Sequence, residues 1–510
     1  MKDFMKKNHF FTYSKMCVLA LAGASALLLA SCARDGFDEE TFSSAVTNST
    51  LTSPELSKSS FSTRVNTDGS ESIVVTWKAV QGAGGYGYEA YNVDDPNNPV
   101  ELVTGTVDGV SFSFPKAEDT RYQVKVKTLG NAKLNNTEAP EATVCDYTTL
   151  IDAKVIPTGS DIAEFIAANM TESEDEQAFE LEAGGTYTCN GPVDFLGNKM
   201  TLRGNKITHP VVTFGAEGVI HTSAQLKVKW INFDCTEASG KKGVIEMSPV
   251  PPESASAEAQ GVGAGKSSGK PADCYILVDP ILVDDCAFKN VKGSFFTVGD
   301  CSWGIADLRI QNCVIQLAFD GSVSANYAMI SAYSNNYTAP SGGQFWSGCI
   351  KGMTFRNNTF MNILSNNKNF TFRFNNKDID RCFPTADGTV VWENNTFIRV
   401  MDAKNFADRT PNQNKYIITL NNNIFYDTWR IQKFLQGNCT VNWSQEKNTI
   451  WGIKNSVDAT DKGKWATEED PGFDQAETLK ELDFTKENYG LNLKPTGAIS
   501  SSIGDPRWLK

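Results

Sequence analysis

The sequence repeats one pattern in Met353-Thr-Phe-Arg-Asn-Asn-Thr-Phe360 and Val391-Trp-Glu-Asn-Asn-Thr-Phe-Ile398. In both stretches, apolar and polar residues alternate ahead of a pair of asparagines, which is typical of a strand with one buried face. Asparagine is common in turns because its side chain bonds to nearby backbone groups and tolerates left-handed dihedral angles. Each stretch therefore predicts a strand that ends in a turn.

Further stretches carry the same pattern. Their last apolar residues mostly lie about 25–28 residues apart, with larger gaps where a loop or an extra rung is inserted, and a period of that length indicates a solenoid. The copies are rich in Val, Ile, Thr and Phe and lack helical periodicity, so each turn should consist of strands. This favours a parallel β-helix. The further copies are Asp285-Cys-Ala-Phe288, Asn312-Cys-Val-Ile315, Asn422-Asn-Ile-Phe425 and Lys447-Asn-Thr-Ile450, with weaker copies at Gly204-Asn-Lys-Ile207 and Trp230-Ile-Asn-Phe233.

Equivalent residues of such a coil stack about 4.8 Å apart. The second residues of the copies should form a column of side chains that hydrogen-bond from one turn to the next, which we interpret as scaffold and not as a metal or catalytic site. This column contains Asn358, Asn395, Asn423 and Asn448, with Cys286 and Cys313 in equivalent places. The last residues of the copies should stack in the interior: Phe288, Ile315, Phe360, Phe397, Phe425 and Ile450.

Residues 1–31 predict a secretory signal peptide, because early lysines precede an apolar run, Val18 to Ala30, that is too short for a final membrane anchor. The run ends in Leu29-Ala-Ser-Cys32, which resembles the bacterial lipobox and implies that Cys32 is acylated. The acidic residues that follow resemble an export signal of Gram-negative gut bacteria. This resemblance implies a lipid anchor and exposure on the outer membrane. Residues 32–56 predict a flexible tether rich in Ser and Thr.

The formal net charge is −13, and it becomes more negative once the lysines of residues 1–31 are removed. An acidic surface argues against nucleic acid and against electrostatic attraction to anionic lipid. The cysteines beyond Cys32 are scattered and form no Cys-x-x-Cys motif. We therefore interpret them as mostly small core residues, with Cys286 and Cys313 the best candidates for mutual contact.

Residues 57–149 predict a small all-β domain. The strand Ser72–Lys78 alternates around Trp77, and Thr120–Lys127 has a period of two. Short strands separated by turn residues are typical of a sandwich. The pattern resembles a fibronectin type III domain, in which the buried Trp and the late-strand Tyr match Trp77 and Tyr122. In bacterial surface proteins such domains usually act as spacers, and the resemblance implies that role.

Residues 150–510 are assigned to the coil. The segment Ser160–Met170 predicts a short amphipathic helix with Asp161 as N-cap, suited to covering an open end of the solenoid. The strands that end in Gly-Thr-Tyr187 and Leu-Arg-Gly204 follow, an order that resembles the entry of pectate-lyase-like right-handed β-helices. The expected fold is all-β: a right-handed parallel β-helix preceded by a fibronectin type III-like β-sandwich.

The tail ends in Ile503-Gly-Asp-Pro-Arg-Trp508. Together with the repeats, it resembles bacterial lipoproteins that join a fibronectin-like module to domains of unknown function 4957 and 5123, over roughly residues 57–510. Members typically occur among glycan-uptake proteins. The resemblance implies a carbohydrate role, with outer-membrane glycan-uptake proteins as partners.

Two insertions interrupt the repeats. Residues 248–272 are rich in Pro, Gly and Ser and predict an exposed, mobile loop. Residues 326–348 place aromatic rings among polar residues, and rings that a core does not need indicate a binding surface, with packing back onto the coil as the alternative. The predicted glycan-binding residues are Tyr333, Tyr337, Phe345 and Trp346 of this insertion, with Arg356, Arg373 and Arg381 of the rungs that follow.

The sequence predicts no catalytic residue and no metal site. A lyase needs a base such as Arg or Lys, but the basic residues, including Arg399, match no lyase motif and are expected to be solvated at outward positions. Asp284 and Asp285 should point to opposite faces of a strand, so they would not form the carboxylate pair of a hydrolase. Asp285 also stands where other copies have Asn, which favours a structural role. No cofactor is expected, apart from Ca²⁺ if the protein is a lyase.

These observations favour a non-catalytic surface lipoprotein that binds a polysaccharide, pectic or otherwise rich in uronate, within a glycan-uptake system. The alternative is a polysaccharide lyase or glycoside hydrolase of the pectate-lyase-like superfamily. A purely structural surface protein is the third hypothesis. Release of unsaturated or reducing sugar separates the second from the first.

Overall fold

The computed structural model describes most of the chain from residue 46 onward. The chain divides into two compact units, Met1–Leu150 and Ile151–Lys510. Among the described residues, no helix is long and apolar enough to cross a membrane. The described ranges are 46–241, 243–261, 266–267, 270–271, 274–299, 301–319, 328–332, 348–364, 370–373, 382–383, 387–400, 407–408, 416–428, 440–443, 447–453 and 465–510.

The first unit is built from two antiparallel sheets that share one apolar core. Alternate residues of each strand point into this core because successive side chains of a strand face opposite sides. Its strands are Phe61–Val65, Glu71–Thr76 and Ser111–Pro115 in one sheet, and Val100–Val107, Tyr86–Asn92, Arg121–Thr128 and Thr143–Thr148 in the other. Short 3₁₀ turns lie at Lys58–Ser60 and Ala132–Leu134.

Trp77 and Tyr122, the two residues matched to a fibronectin type III domain, are both buried in this core. Trp77 meets Tyr86 edge-on, with ring centroids 5.2 Å apart. The Tyr122 hydroxyl accepts a hydrogen bond from the Ala117 N–H at 2.7 Å and donates to the Ala117 carbonyl at 3.1 Å. These contacts fit a sandwich, and the more specific fibronectin type III assignment stays a prediction.

The segment before this sandwich is more ordered than the expected tether. The Leu51 N–H donates to the Thr137 carbonyl at 3.1 Å, and the Leu51 side chain is buried. Residues 46–56 therefore lie along the domain, because the segment contains apolar groups that it can bury. The tether prediction is wrong for this part, and residues 32–45 lie outside the described ranges.

The second unit is a right-handed parallel β-helix. Successive rungs contribute strands to three parallel sheets, here called sheets A, B and C, and neighbouring rungs pair in register. Sheet A contains Ala153–Ile156, Gln177–Leu181, Met200–Arg203, Leu226–Lys229, Ile281–Asp284, Leu308–Gln311, Gly352–Arg356, Gly388–Glu393, Tyr416–Asn421 and Thr440–Trp443. Sheet B contains Thr186–Cys189, Val211–Phe214, Asn232–Asp234, Ala287–Val291, Val314–Leu317, Thr359–Asn362, Thr396–Ile398, Asn423–Tyr426, Asn448–Trp451 and Thr467–Glu468. Sheet C contains Pro192–Asp194, Val219–Thr222, Ile245–Met247, Phe296–Thr297, Ala328–Ser331, Phe370–Arg373 and Ala407–Asp408.

Smaller elements complete the coil. The predicted helix spans Ile162–Asn169, and the Asp161 carboxylate caps it by accepting the N–H groups of Ala163 and Glu164. Ile162 and Ile166 of the helix are buried in the core of the first rungs. The remaining strands are Tyr275–Leu277, Trp303–Ile305 and Cys349–Ile350, which form one parallel sheet, and the antiparallel pair Lys266–Ser267 and Lys270–Pro271. Short 3₁₀ turns lie at Glu253–Ala255, Glu477–Leu479, Glu487–Gly490, Ser500–Ser502 and Pro506–Trp508.

The interior column predicted from the repeats is confirmed. The residues that end the stronger copies are direct neighbours across sheet B, and all of them are buried. In order, they are Phe288, Ile315, Phe360, Phe397, Phe425 and Ile450. Phe397 stacks between Phe360 and Phe425, with ring centroids 5.1 and 4.9 Å away.

The prediction that Ile207 ends a weaker copy of the repeat is wrong. Ile207 is 55% exposed and belongs to no strand. The Asn205 side chain accepts the N–H groups of Ile207 and Thr208 and bends the chain outward. In this rung Val212 takes the interior place beside Phe233.

The predicted column of second residues is also confirmed. The Asn358 amide donates to Asn395 Oδ1 at 2.9 Å, Asn395 to Asn423 at 3.0 Å, and Asn423 to Asn448 at 3.1 Å. Each amide also donates to a backbone carbonyl, as Asn395 does to Phe355 at 2.9 Å. These buried polar groups are fully paired, which supports their interpretation as scaffold.

The cysteines of this column are buried free thiols. The Cys313 N–H continues the column by donating to Asn358 Oδ1 at 2.9 Å. Burial raises the pKa of Cys286 and of Cys313 well above the ordinary value, which makes both thiols inert.

The coil ends earlier than expected. Its last described strand is Thr467–Glu468, and residues 469–510, here called the tail, lie across the outer face of sheet B. The described part of the first insertion also packs against the coil, with Ala255 and Ala257 buried. These small apolar side chains anchor the segment at two points, whereas most of residues 249–261 are exposed, as the sequence predicts.

Candidate functional site

A row of left-handed residues marks the corner where each rung passes from sheet A to sheet B. These are the first residues of the repeated copies, and a positive φ is tolerated best by Gly, Asn and Asp. The row, here called the corner row, contains Trp230 (φ 58°), Asp285 (48°), Asn312 (56°), Asn357 (57°), Asn394 (57°) and Asn422 (59°).

Side chains of the corner row bond to one another on the outside of the coil. Asn394 Nδ2 donates to Asn357 Oδ1 at 3.2 Å, and Asn357 Nδ2 donates to Asn312 Oδ1 at 3.0 Å. Asn312 Nδ2 donates in turn to Asp284 Oδ1 at 2.8 Å. These bonds hold a line of planar amides and carboxylates in fixed orientation along the coil axis.

The tail covers the outer face of sheet B through an apolar contact. Residues of the sheet and of the tail are buried together in a cluster separate from the coil interior, which explains why sheet B carries apolar residues on both faces. The cluster contains Ala287, Val314, Met361, Ile398, Ile424 and Tyr426 from the sheet, and Phe473, Leu482, Tyr489, Leu491, Leu493, Ile503 and Trp508 from the tail.

Polar side chains of sheet B fix the path of the tail. Gln316 Nε2 donates to the Lys480 carbonyl at 2.8 Å, and Gln316 Oε1 accepts the Leu482 N–H at 3.2 Å. Arg399 is buried, with Nη2 donating to the Thr478 carbonyl and to Thr478 Oγ1. The expectation that Arg399 is solvated is therefore wrong, because the tail covers the face on which it lies.

The end of the tail returns to the corner row. Asp505 is buried, and its Oδ2 accepts a hydrogen bond from Thr359 Oγ1 at 2.7 Å. Arg507 Nη2 donates to the Asn312 carbonyl at 2.8 Å and lies 3.8 Å from Asp285 Oδ1. The Arg507 guanidinium also lies over the Tyr489 ring, 5.4 Å from its centroid.

An open cleft of about 810 Å³ separates the corner row from the tail. We call it the tail groove. A cleft of this volume falls within the range of ligand sites. Its polar lining includes Asp284, Asp285, Asn312 and Asn357 from the coil, and Lys494 and Arg507 from the tail.

Two carboxyl groups of the tail groove are perturbed. Burial raises the pKa of Asp284, although the Asn312 amide acts in the opposite direction. Burial also raises the pKa of Asp505 to about 6, against the effect of the Arg507 guanidinium. Both oxygens of Asp505 accept hydrogen bonds from protein groups. The other carboxylate side chains that line the groove are Asp284 and Asp285 on the coil and Glu487 on the tail.

The arrangement suits a ligand with many hydroxyl groups. Carboxylates accept hydrogen bonds, and amides both donate and accept them, so their combination can pair with neighbouring hydroxyls of one sugar ring. Among the described residues, no group of three or more Asp, Glu, His or Cys side chains is arranged to hold a metal ion. The tail groove is therefore the best-supported candidate site.

Most of the site predicted from sequence lies beyond the described residues. Tyr333, Tyr337, Phe345, Trp346 and Arg381 fall there, as does the predicted acylation site, Cys32.

The two remaining predicted residues lie on different sheets. Arg356 ends a strand of sheet A and is exposed, with Nε 2.9 Å from Glu393 Oε2. Arg373 ends a strand of sheet C. The two arginines therefore belong to strands of different sheets.

The repeats identify the corner residues of the tail groove, Asp285, Asn312 and Asn357, as turn residues and not as a site. Asp284 and Asp285 were expected to face opposite ways on a strand, yet both line the groove. The strand ends at Asp284, and the positive φ of Asp285 turns the chain. The alignment of Asp285 with the asparagines of other copies was the sequence signal for this turn.

Comparison with known proteins places the chain near two domains of unknown function. One, DUF4992, matches residues 5–187, and the other, DUF4957, matches residues 185–363. The second match confirms part of the resemblance drawn from the repeats, whereas domain 5123 stays a prediction. No curated protein matches the chain.

Solved structures similar to this chain include an exopolygalacturonase of family 28 from Yersinia enterocolitica, at 11% identity and a TM-score of 0.22, over 83% of this chain and 82% of that chain. A second is pectate lyase PelI from Erwinia chrysanthemi in complex with tetragalacturonic acid, at 10% identity and 0.13, over 80% and 88%. A third is the catalytic domain of a GH87 α-1,3-glucanase in complex with nigerose, at 10% identity and 0.20, over 80% and 86%. Similarity at this level transfers no site residue, and the fold described above rests on the strand pairing.

Proposed function

We propose that the protein binds polysaccharide in the tail groove, as a lipoprotein held at the outer membrane by an acyl group on Cys32. The observation that carries the proposal is the line of fixed carboxylates and amides facing an open cleft of about 810 Å³. Preorganised polar groups bind hydroxyls well because little side-chain freedom is lost when the ligand arrives.

The repetition of the coil supports a polymeric ligand. Asn312 and Asn357 line the groove and present the same side chain from successive rungs, which are stacked about 4.8 Å apart. A ligand made of repeating units can use the same contact more than once, and linked weak contacts raise the overall affinity. A small metabolite would use only part of the row.

The membrane attachment and the partners are part of the proposal. The lipobox-like sequence before Cys32 and the acidic residues after it support export to the cell surface. A groove on a surface-anchored protein would meet polysaccharide before an uptake system does, and outer-membrane glycan-uptake proteins are the partners we propose. Copurification of such proteins with the membrane-bound chain tests this part.

Affinity electrophoresis through gels that contain xylan, β-glucan, mannan, galactan or polygalacturonate tests the binding. Asn492 is an exposed residue of the tail that lines the groove, so Asn492→Trp should obstruct it and weaken retardation at least about tenfold. Lys486→Trp is the matched control, because Lys486 is also exposed in the tail but does not line the groove. Failure of every polysaccharide to retard the wild type would exclude the proposal, as would unchanged retardation of Asn492→Trp.

Glycoside hydrolysis is the second candidate, and one observation favours it. Asp284 and Asp285 line the same groove, and Asp284 has a raised pKa, as a general acid does. Release of reducing sugar by the wild type, and its loss in Asp284→Asn, would place hydrolysis first. Release of unsaturated sugar would instead indicate a lyase.

A further inference from the structure

We infer that the tail groove selects neutral glycans over uronate-containing ones and that Asp285 is the residue that sets this preference. The inference rests on the proposed function, because it names the substrate class of the same site. It departs from the uronate-rich ligand expected from the sequence. Three features of the groove carry it: the position of its carboxylates, the engagement of its cations, and the single Asp in a row of Asn.

The carboxylates lie where a ligand would contact the coil. Asp284 and Asp285 both line the groove, and the Asp285 side chain is 35% exposed. Asp285 Oδ2 lies 3.5 Å from His209 Nε2, and its Oδ1 lies 3.8 Å from Arg507 Nη2. Both distances exceed those of good charge-assisted hydrogen bonds, so the carboxylate retains acceptor capacity for a ligand.

The basic side chains that line the groove either contact other protein groups or are exposed to solvent. The Arg507 guanidinium donates to the Asn312 carbonyl and lies over the Tyr489 ring. Lys494 Nζ donates to the Lys510 carbonyl at 3.0 Å. Lys510 is exposed, and an exposed ammonium adds little to the binding of an anion.

This arrangement of charged side chains in the groove favours neutral sugars over negatively charged ones. A carboxylate accepts hydrogen bonds from hydroxyl groups of a neutral sugar and has no donor to offer a second carboxylate. Like charges brought together across a binding surface oppose association. A uronate placed against Asp285 would meet repulsion that the engaged Arg507 does not offset.

The neighbouring rungs provide the comparison that isolates Asp285. Its place in the corner row is taken by Asn in four later rungs, at Asn312, Asn357, Asn394 and Asn422. Asn tolerates the left-handed conformation of Asp285, with φ at 48°. Asp285→Asn should therefore fold normally and change the charge of the groove without changing its shape.

The test measures binding to pairs of polysaccharides that share a backbone and differ in charge. The pairs are methyl-esterified polygalacturonate with polygalacturonate, hydroxyethyl cellulose with carboxymethyl cellulose, and xylan with glucuronoxylan. For each pair that binds, the wild type should prefer the neutral member by about tenfold at low salt, because one close like-charge contact is of that order. Added salt should shrink the preference by screening the repulsion.

Asp285→Asn should reduce the preference to about threefold or less. Asp483→Asn is the matched control, since it removes one negative charge from an exposed tail residue outside the groove and should leave the preference unchanged. A wild type that prefers the acidic member, or an Asp285→Asn variant with the wild-type preference, would overturn the inference while leaving polysaccharide binding in place. Absence of binding to every neutral and acidic probe would overturn the proposed function itself.

Discussion

Thr359 and Asp505 are separated by 146 residues in the chain, yet the Thr359 hydroxyl donates to Asp505 Oδ2 across 2.7 Å. The same hydroxyl accepts the indole N–H of Trp508 at 2.7 Å. One residue of sheet B therefore satisfies two buried groups at the end of the tail. The tail groove depends on this attachment, because Asp505 and Trp508 both line it.

Thr359→Val should loosen the tail. The substitution keeps the shape of the side chain but leaves Asp505 Oδ2 and Trp508 Nε1 without their partner, which should lower the free energy of unfolding by about 2–4 kcal/mol. Urea denaturation followed by tryptophan fluorescence measures the change. Thr354→Val, on the outward side of sheet A, is the control and should have little effect. Equal midpoints for the two variants would contradict the proposed role of Thr359.

The attachment of the tail should weaken as pH rises from about 4 to about 6. The pKa of Asp505 is raised from its ordinary 3.8 to about 6 by burial, so the folded state holds this proton more tightly than the unfolded state. Stability from this group is complete below about pH 4 and is lost as pH rises through 6, by about 3 kcal/mol in total. Asp505→Asn does not titrate, so the difference in unfolding free energy between wild type and variant should change across this window. A constant difference would show that folding does not raise the pKa of Asp505.

Phe397→Ala should destabilise the coil. Phe397 is fully buried between Phe360 and Phe425, and a cavity left by a buried Phe costs about 3–5 kcal/mol. Thermal melting monitored by circular dichroism measures the loss. Phe397→Leu keeps most of the volume and should lose less. A wild-type melting temperature for Phe397→Ala would contradict the register of the interior column.

Asn395→Ala should damage the rungs on both sides of it. The Asn395 amide donates to Asn423 and to the Phe355 carbonyl, and it accepts from Asn358. Its removal leaves buried polar groups unpaired in neighbouring rungs, at about 1–3 kcal/mol for each group. Hydrogen exchange should show faster opening at Asn358 and Asn423 and little change at Asn232, which lies several rungs away. Uniform exchange across these sites would indicate that the column does not act locally.

Cys32→Ala should release the protein from the membrane. An acyl group inserts into lipid and a methyl side chain does not, so the variant should move from the membrane fraction to the soluble one. Fractionation followed by immunoblotting measures the distribution, and mass spectrometry of the wild type detects the lipid. Continued membrane association of the variant would mean that another part of the chain provides the anchor.

The sequence predicted the parts of the fold that repeat. Phe360, Phe397 and Phe425 recur with the same neighbours, so their stacking followed from a register that the turn residues define. The attachment of the tail was not predicted, because Asp505 and Trp508 belong to no repeat. Their partner Thr359 lies on the outer face of sheet B, and this face forms only when separate rungs stack. The pairing of such residues depends on the assembled surface and not on local pattern.

Asp284 and Asp285 show a different limit of the sequence. The expectation that they face opposite ways assumed that the strand continues, whereas Asp285 adopts a left-handed turn. The alignment of the repeats places Asp285 at a turn position. A turn at Asp285 lets both carboxylates line the groove, which strand alternation alone does not predict. The candidate site was thus visible as a deviation from a repeat, one Asp among several Asn.

The contact between Gln316 and the tail bears on how the chain acquires its structure during synthesis. Gln316 holds the backbone at Lys480 and Leu482, which are made 164 and 166 residues later. Strands of sheet B therefore leave the ribosome long before the segment that shields their outer side. Until the tail is synthesised, Val314, Met361 and Ile398 form an exposed apolar surface. A chaperone that covers these residues during synthesis would protect the incomplete coil from aggregation.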